Sequence, residues 1–192
     1  YNISVTPIKQ ALNRLTSEGI VESIPRKGMV VRKLTATDMV EYSEIREMIL
    51  LYSVPFAIER STADESFLIR LQESFQEHTK QLSKAYTEEY YRDVHNYYLQ
   101  VHNLDEEFHL MMVSAVGNPK LEAYYRSIGA YFKIVYLYRE KQLHRVEETL
   151  KEHEAILEAL RRGNADELRK VLMKHFDNVK TDYANELFVQ EP

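Results

Sequence analysis

A mostly α-helical protein is predicted: a small head of one helix and one hairpin, then an all-α bundle of about six or seven helices. Three observations predict it. Apolar residues recur at helical spacing over nearly all of the chain after Asp38. β-Branched stretches are confined to "IVESIPRKGMVVRK", and strand signals are absent after Val31. Charge divides near the same place. Through Lys33 there are six basic and two acidic residues, afterwards 19 and 28, so a head of +4 precedes a body of −9. A basic head on an acidic body implies that only the head meets a polyanion.

In the head, Ser4 or Thr6 can cap a helix that has Pro7 in its first turn. Ile8, Ala11, Leu12 and Leu15 then keep helical spacing until Gly19 ends the run. Two short β-branched stretches flank "PRKG", a hairpin with a basic tip. A helix followed by such a hairpin is the C-terminal part of a winged helix-turn-helix, assigned to residues 1–33. The sequence is therefore expected to begin partway through a domain.

The second domain is assigned to residues 34–192. The linker "KLTATD" leads into a long helix capped by Thr35 or Thr37, with an apolar stripe of Val40, Ile45, Met48, Ile49, Leu51 and Val54. "LIRLQESFQEHTKQL" continues the helical pattern, and "VHNYYLQVHNLDEEFHLMMVSAV" does so up to Gly117-Asn118-Pro119. A further helix runs through "LEAYYRSIGAYFKIVYLYR". The last two flank Gly163-Asn164, with Gly163 closing one and Asn164 or Asp166 opening the next. The tyrosines of "EEYYRDVHNYY" read as amphipathic helix surface or dimer contact.

Composition narrows the chemistry. The chain has 192 residues and no Cys, which removes disulfides, cysteine zinc sites and thiol nucleophiles and fits a cytoplasmic protein. No apolar run reaches the roughly 20 residues that a spanning helix needs, so no membrane partner is expected. The richest run, "MILLYSVPFAI", is shorter and contains Pro55. The first residues, "YNISV", have neither an initiator Met nor a signal-peptide pattern.

The chemistry concentrates in the body. His153 lies ten residues before Gly163 and His175 eleven after Asn164. Antiparallel helices rise at equal rates, so the two imidazoles come level, and both border the inward stripes of Ile156 and Leu157 and of Val171 and Leu172. Asp105 and His109 are four apart on one helix face, placed near the core by Leu104, Phe108 and Met112. Three imidazoles and a carboxylate in a bundle interior suit a divalent metal, zinc foremost, with nickel, manganese or iron as alternatives. His102 is a substitute ligand or an outer partner on the same face. His78, His95 and His144 read as surface or hydrogen-bonded residues. Glu106, Glu107 and the run Arg145–Glu154 read as solvated faces.

The segments "SVTPIKQALNRLTSEGIVESIPRKGMVV", "EYSEIREMILLYSVPFAIE", "LDEEFHLMMVSAVGNPKL" and "EHEAILEALRRGNADELRKVLMKH" together resemble the GntR family of bacterial transcription regulators. The resemblance is to its FadR-like subgroup with an FCD ligand-binding domain, and it covers essentially the whole chain. It implies a metal held by Asp105, His109, His153 and His175, the same set reached from spacing. It implies that Thr6, Lys9, Gln10 and Asn13 lie nearest base edges, with Arg26, Lys27 and Gly28 at the wing. Val5, Lys9 and Gln10 depart from the usual Arg, Arg and Glu, which predicts an operator unlike that of typical relatives, since Gln can read adenine and Lys is a point charge rather than a fork. Arg46 resembles an arginine near the effector cavity; it either meets an effector carboxylate or pairs with an acid on a neighbouring helix. Arg126, with Tyr124 and Tyr125, is a further expected contributor.

The reading from sequence is a cytoplasmic homodimeric regulator, not an enzyme. It binds a two-fold DNA operator and responds to a small organic acid at the metal. The alternatives are a metal-dependent enzyme using the same three histidines and aspartate, and a regulator whose effector pocket holds no metal.

Overall fold

The computed structural model describes residues 4–138 and 143–187. Its chain forms two compact units, Tyr1–Thr35 and Ala36–Pro192.

In the first unit, helix α1 (Val5–Ser17) is capped by the Ser4 hydroxyl, which accepts from Thr6 N. Gly19, at φ 72°, turns the chain out of the helix in the left-handed region that glycine enters without steric cost. Strands β1 (Val21–Ile24) and β2 (Gly28–Val31) pair antiparallel from Val21 opposite Val31 to Ile24 opposite Gly28. The intervening turn is closed by Lys27 N donating to Ile24 O at 3.0 Å, with Pro25 second and Arg26 third at φ 69°. That order and that sign are those of a type II turn.

The second unit is a bundle of seven helices among the described residues: α2 (Ala36–Ala63), α3 (Glu65–Leu82), the single-turn α4 (Glu88–Arg92), α5 (Val94–Ser114), α6 (Pro119–Tyr138), α7 (Leu143–Arg161) and α8 (Ala165–Leu187). Side-chain caps start several of them. Asp64 Oδ1 accepts from Ser66 N, Asp93 Oδ1 from Asn96 N, and Asn164 Oδ1 from Glu167 N, each at 3.0 Å. Gly163, at φ 61°, ends α7 as its position predicts. Helix α2 packs along α8, α5 lies between α3 and α6, and α7 meets both α3 and α8. Ile156, Leu157 and Leu160 of α7 and Leu168 and Leu172 of α8 are fully buried. Truncating any one of these to alanine costs roughly 2–5 kcal/mol.

Two expectations from sequence need correction here. On α2 the buried face runs through Met39, Ser43, Arg46, Leu50, Ser53, Val54 and Ala57, whereas Met48 of the expected stripe is 62% exposed. Serines can occupy a core face because their hydroxyls bond backward along the helix, Ser43 to Met39 O at 2.7 Å and Ser53 to Ile49 O at 2.8 Å. The tyrosines of residues 88–98 are not a surface stripe either. Tyr90, Tyr97 and Tyr98 are buried with Leu82 and Val101 in an aromatic cluster, with Tyr90 and Tyr97 edge to face at 4.9 Å, while Tyr91 stays exposed.

Candidate metal centre

Three helices converge their imidazoles. His109 on α5, His153 on α7 and His175 on α8 are 0%, 0% and 3% exposed, and each offers a ligand atom within 4.8 Å of the others'. The ring centroids are 4.7 Å apart for His109 and His153, 5.0 Å for His109 and His175, and 5.3 Å for His153 and His175. Helix geometry explains the convergence: the α7–α8 hairpin brings His153 and His175 level, and α5 crosses beside them. Asp105, one turn before His109, borders this group, with Oδ1 3.4 Å from His153 Nε2, while the mutually close ligand atoms are those of the three histidines.

The ring nitrogens sort by their partners. His109 Nδ1 donates to the Asp105 carbonyl at 2.9 Å, which turns Nε2 inward. His175 Nδ1 donates to Glu152 Oε2 at 2.6 Å, which does the same for its Nε2. His109 Nε2 and both nitrogens of His153 are buried without a hydrogen-bond partner among the described residues. A buried polar atom left unpaired costs about 1–3 kcal/mol, so His109 Nε2 and one nitrogen of His153 fit the role of cation ligands. Three imidazoles with a nearby carboxylate form a donor set that fits zinc.

Electrostatics prepares the same state. Burial, opposed in part by Asp105, pushes His109 down to about 3, and burial holds His153 well below the ordinary imidazole range. Both are thus neutral at physiological pH, as ligation requires. Burial would raise the Asp105 carboxyl, but the neighbouring imidazoles and Arg46 hold it well below the usual carboxylate range. Among these neighbours the Arg46 guanidinium is a standing cation, with Nη2 3.6 Å from Asp105 Oδ2.

Around this core lies a supporting shell. Glu152 receives Arg145 in a bidentate pair, both contacts 2.9 Å, and Asn178 Nδ2 at 2.7 Å. Burial would raise its carboxyl, yet the hydrogen bonds from His175 and Arg145 bring it down to about 2. Arg145 and Glu152 are therefore not the solvated residues that the surrounding charge run suggests, because their side chains are 11% and 12% exposed. Glu106 is likewise buried, 3.2 Å from Lys133 Nζ and 3.8 Å from His102 Nε2. A Cβ on Gly129 would fall on the Glu106 carboxylate, so a side chain there would have to displace that buried group from Lys133.

A cavity of about 40 Å³ opens beside the histidines, lined by Arg46, His102, Asp105, Arg145, His175 and Tyr183 among others. One water needs roughly 10–15 Å³ on that measure, so a small ligand is the right scale. Arg46 is buried, donates to Tyr125 Oη at 2.8 and 3.0 Å, and thus meets both a neighbouring-helix acid and the cavity. Arg126, grouped with it on sequence grounds, does not line the cavity. Its guanidinium is 52% exposed and pairs with Glu107 at 2.9 Å. Tyr124 is 54% exposed, while Tyr125 is buried beneath Arg46.

His78 departs most from its expected place. It is 1% exposed on α3, with its ring 5.8 Å from that of His153. His95 is exposed, and the side chain of His144 lies outside the described residues. In the head, Thr6, Lys9, Gln10 and Asn13 form an exposed stripe on α1, and Arg26, Lys27 and Gly28 are exposed at the hairpin tip.

Comparison with known proteins identifies the family of each unit. Residues 41–178 match the FCD domain, and residues 1–31 match the family of bacterial regulatory proteins, gntR. The chain is 24% identical over 178 residues to the HTH-type transcriptional regulator YdhC of Bacillus subtilis, covering 93% of this chain and 74% of that one. It is 30% identical over 127 residues to the Nta operon transcriptional regulator of Aminobacter aminovorans, covering 66% and 54%. Similar solved folds include E. coli McbR/YncC, with TM-score 0.74, 20% identity and coverage of 96% and 82%. A GntR transcriptional regulator from Rhodococcus sp. RHA1 gives TM-score 0.73 at 18% identity, with the same coverage. No described helix is long and apolar enough to cross a membrane.

Proposed function

This chain belongs to the FCD-domain group of the gntR family, transcriptional regulators rather than enzymes, and from that premise we propose that its helical body senses a small carboxylic acid at a metal centre. Regulators of this family bind DNA operators. The observation that carries the sensing proposal is the buried convergence of His109, His153 and His175, whose ligand atoms lie within 4.8 Å of one another.

A divalent ion held there, zinc by the donor set, would supply positive charge that attracts an anionic ligand. His109, His153 and His175, with Asp105 beside them, would hold it, and Glu152 orients His175. Arg46 faces the cavity with a guanidinium already bound to Tyr125, so an entering carboxylate meets a preorganised donor. A ligand seated there touches helices α2, α5 and α8 at once. It can therefore favour one helix arrangement over another, and coupling to DNA needs such a difference. In a cytoplasmic homodimer, two heads joined on a two-fold operator turn a small shift in the bodies into a large change in affinity.

Elemental analysis of untagged protein beside a His109→Ala, His175→Ala variant tests the centre. About one metal per chain, lost in the variant, is the expected result for one ligand set. Metal-free protein that still answers a small acid would instead place the effector directly on the imidazoles.

A further inference from the structure

The candidate ligands are not equally supported. A metal-bound imidazole presents one nitrogen to the ion and keeps its proton on the other, which almost always finds an acceptor. For His109 that acceptor is the Asp105 carbonyl at 2.9 Å, and for His175 it is Glu152 at 2.6 Å. For His153, Nε2 faces Asp105 Oδ1 at 3.4 Å; an ion held there would take the Nε2 lone pair and leave the proton on Nδ1. That Nδ1 is buried and has no partner among the described residues.

Around His153, Phe108 stacks on the ring at 4.4 Å and offers no acceptor. His109 and His175 lie on the ligand side. The remaining aromatic neighbour is His78 of α3, tilted by 49° with centroids 5.8 Å apart. His78 is 1% exposed, and both of its nitrogens also lack partners. Two buried imidazoles side by side, each with unpaired nitrogens, can satisfy one nitrogen apiece by a small ring rotation or one bridging water.

We propose that His78 is the positioning residue of the metal centre, accepting the Nδ1 proton of His153 and so fixing that ligand's tautomer and ring angle. The inference rests on the metal reading above. It completes a shell in which every histidine ligand has an outer partner, and it ties α3, which contributes no ligand, to the occupancy of the site. A purely packing histidine would be replaceable by an apolar ring of similar size, whereas an acceptor would not.

The test is zinc affinity, measured by competition with a chromogenic chelator, for the unaltered protein and for His78→Phe, His78→Gln and His153→Ala. Expected is a roughly 10–100-fold loss in His78→Phe, the usual effect of removing an outer partner. Most of the affinity should return in His78→Gln, whose carbonyl can accept, and binding should vanish in His153→Ala. Unchanged affinity in His78→Phe, or equal losses in both His78 variants, overturns the proposal while leaving the metal centre standing. No zinc in the unaltered protein overturns the metal reading and this one with it. Should His78→Phe fail to fold, nitrogen-15 NMR of the zinc-loaded unaltered protein decides. A slowly exchanging Nδ1 proton on His153 is expected; an Nε2–H tautomer, or an Nδ1 proton that exchanges freely with solvent, overturns the proposal.

Discussion

His175 Nδ1 lies 2.6 Å from Glu152 Oε2, so the imidazole on α8 is oriented by the residue immediately before His153 on α7. The contact couples the two helices of the hairpin at the level where the imidazoles meet. Glu152 also receives Arg145 and Asn178, so its carboxylate is fixed before any ion arrives. Glu152→Gln keeps the size but loses the charge and can present an amide N–H to His175. We expect a roughly 10–100-fold weaker zinc affinity with the fold retained, read by chelator competition and circular dichroism. An unchanged affinity would mean that Glu152 only braces Arg145.

Much of this centre is legible in the sequence because helical arithmetic is local. The spacings of His153 and His175 from Gly163-Asn164 fix their level, and the four-residue step from Asp105 to His109 fixes their face. Glu152 is not legible, because it sits in a charged run and only packing against α8 removes it from water. His78 is not legible for a different reason. It is 75 residues from His153 in sequence, and nothing in the pattern of α3 says which helix its face will meet. The core face of α2 is hidden by serines whose hydroxyls are satisfied within their own helix.

Acid should loosen the metal-free protein well above the pH at which carboxylates titrate. Burial lowers His78, His102, His109 and His153, with His102 near 4 and His109 near 3, against an ordinary value of 6.5. The unfolded chain takes up these protons near pH 6.5 and the folded chain only at its lower values. The stability they contribute is therefore complete above 6.5 and lost as pH falls through the interval. Each such histidine steepens the loss by up to ~1.4 kcal/mol per pH unit. Urea unfolding of chelator-treated protein at pH 7.5 and 5.5 reads this directly, and a flat profile would refute buried neutral imidazoles.

Arg46 should matter to the effector more than to the metal. Its guanidinium binds Tyr125 and faces Asp105 without occupying a ligand position. Arg46→Met keeps the aliphatic packing against Phe132, whose ring centre is 4.8 Å from the guanidinium carbon. Zinc should be retained at about one per chain, while the effect of small carboxylic acids on DNA binding weakens by roughly 10-fold or more, the scale of one lost charge-assisted pair. Loss of zinc together with the response would assign Arg46 to holding Asp105 instead.

Gly129 and Glu106 offer a packing test. An alanine Cβ at 129 would fall on the Glu106 carboxylate, which is itself buried and held by Lys133 at 3.2 Å. Gly129→Ala should destabilise the body by about 1–3 kcal/mol, the usual cost of forcing atoms into a filled space. Adding Glu106→Ala removes the obstruction, so the double variant should lose less than the two single losses together. Additive losses in chemical denaturation would show that the helices simply move apart.

The wing carries a final test. Arg26 adopts φ 69°, where a side chain costs on the order of 1–2 kcal/mol and glycine is at ease. The third position of a Pro-led type II turn ordinarily takes Gly or Asn, so an arginine there sets a cation on the exposed tip against local strain. Arg26→Gly should therefore relax the turn and slow amide exchange at Lys27, whose N–H closes it. If Arg26 contacts phosphate, the same change weakens binding to all duplexes alike and lowers the slope of log affinity against log salt by about 1. If it reads a base, affinity falls selectively for one sequence and the salt slope changes little. Slower exchange with unchanged DNA binding would remove Arg26 from the interface.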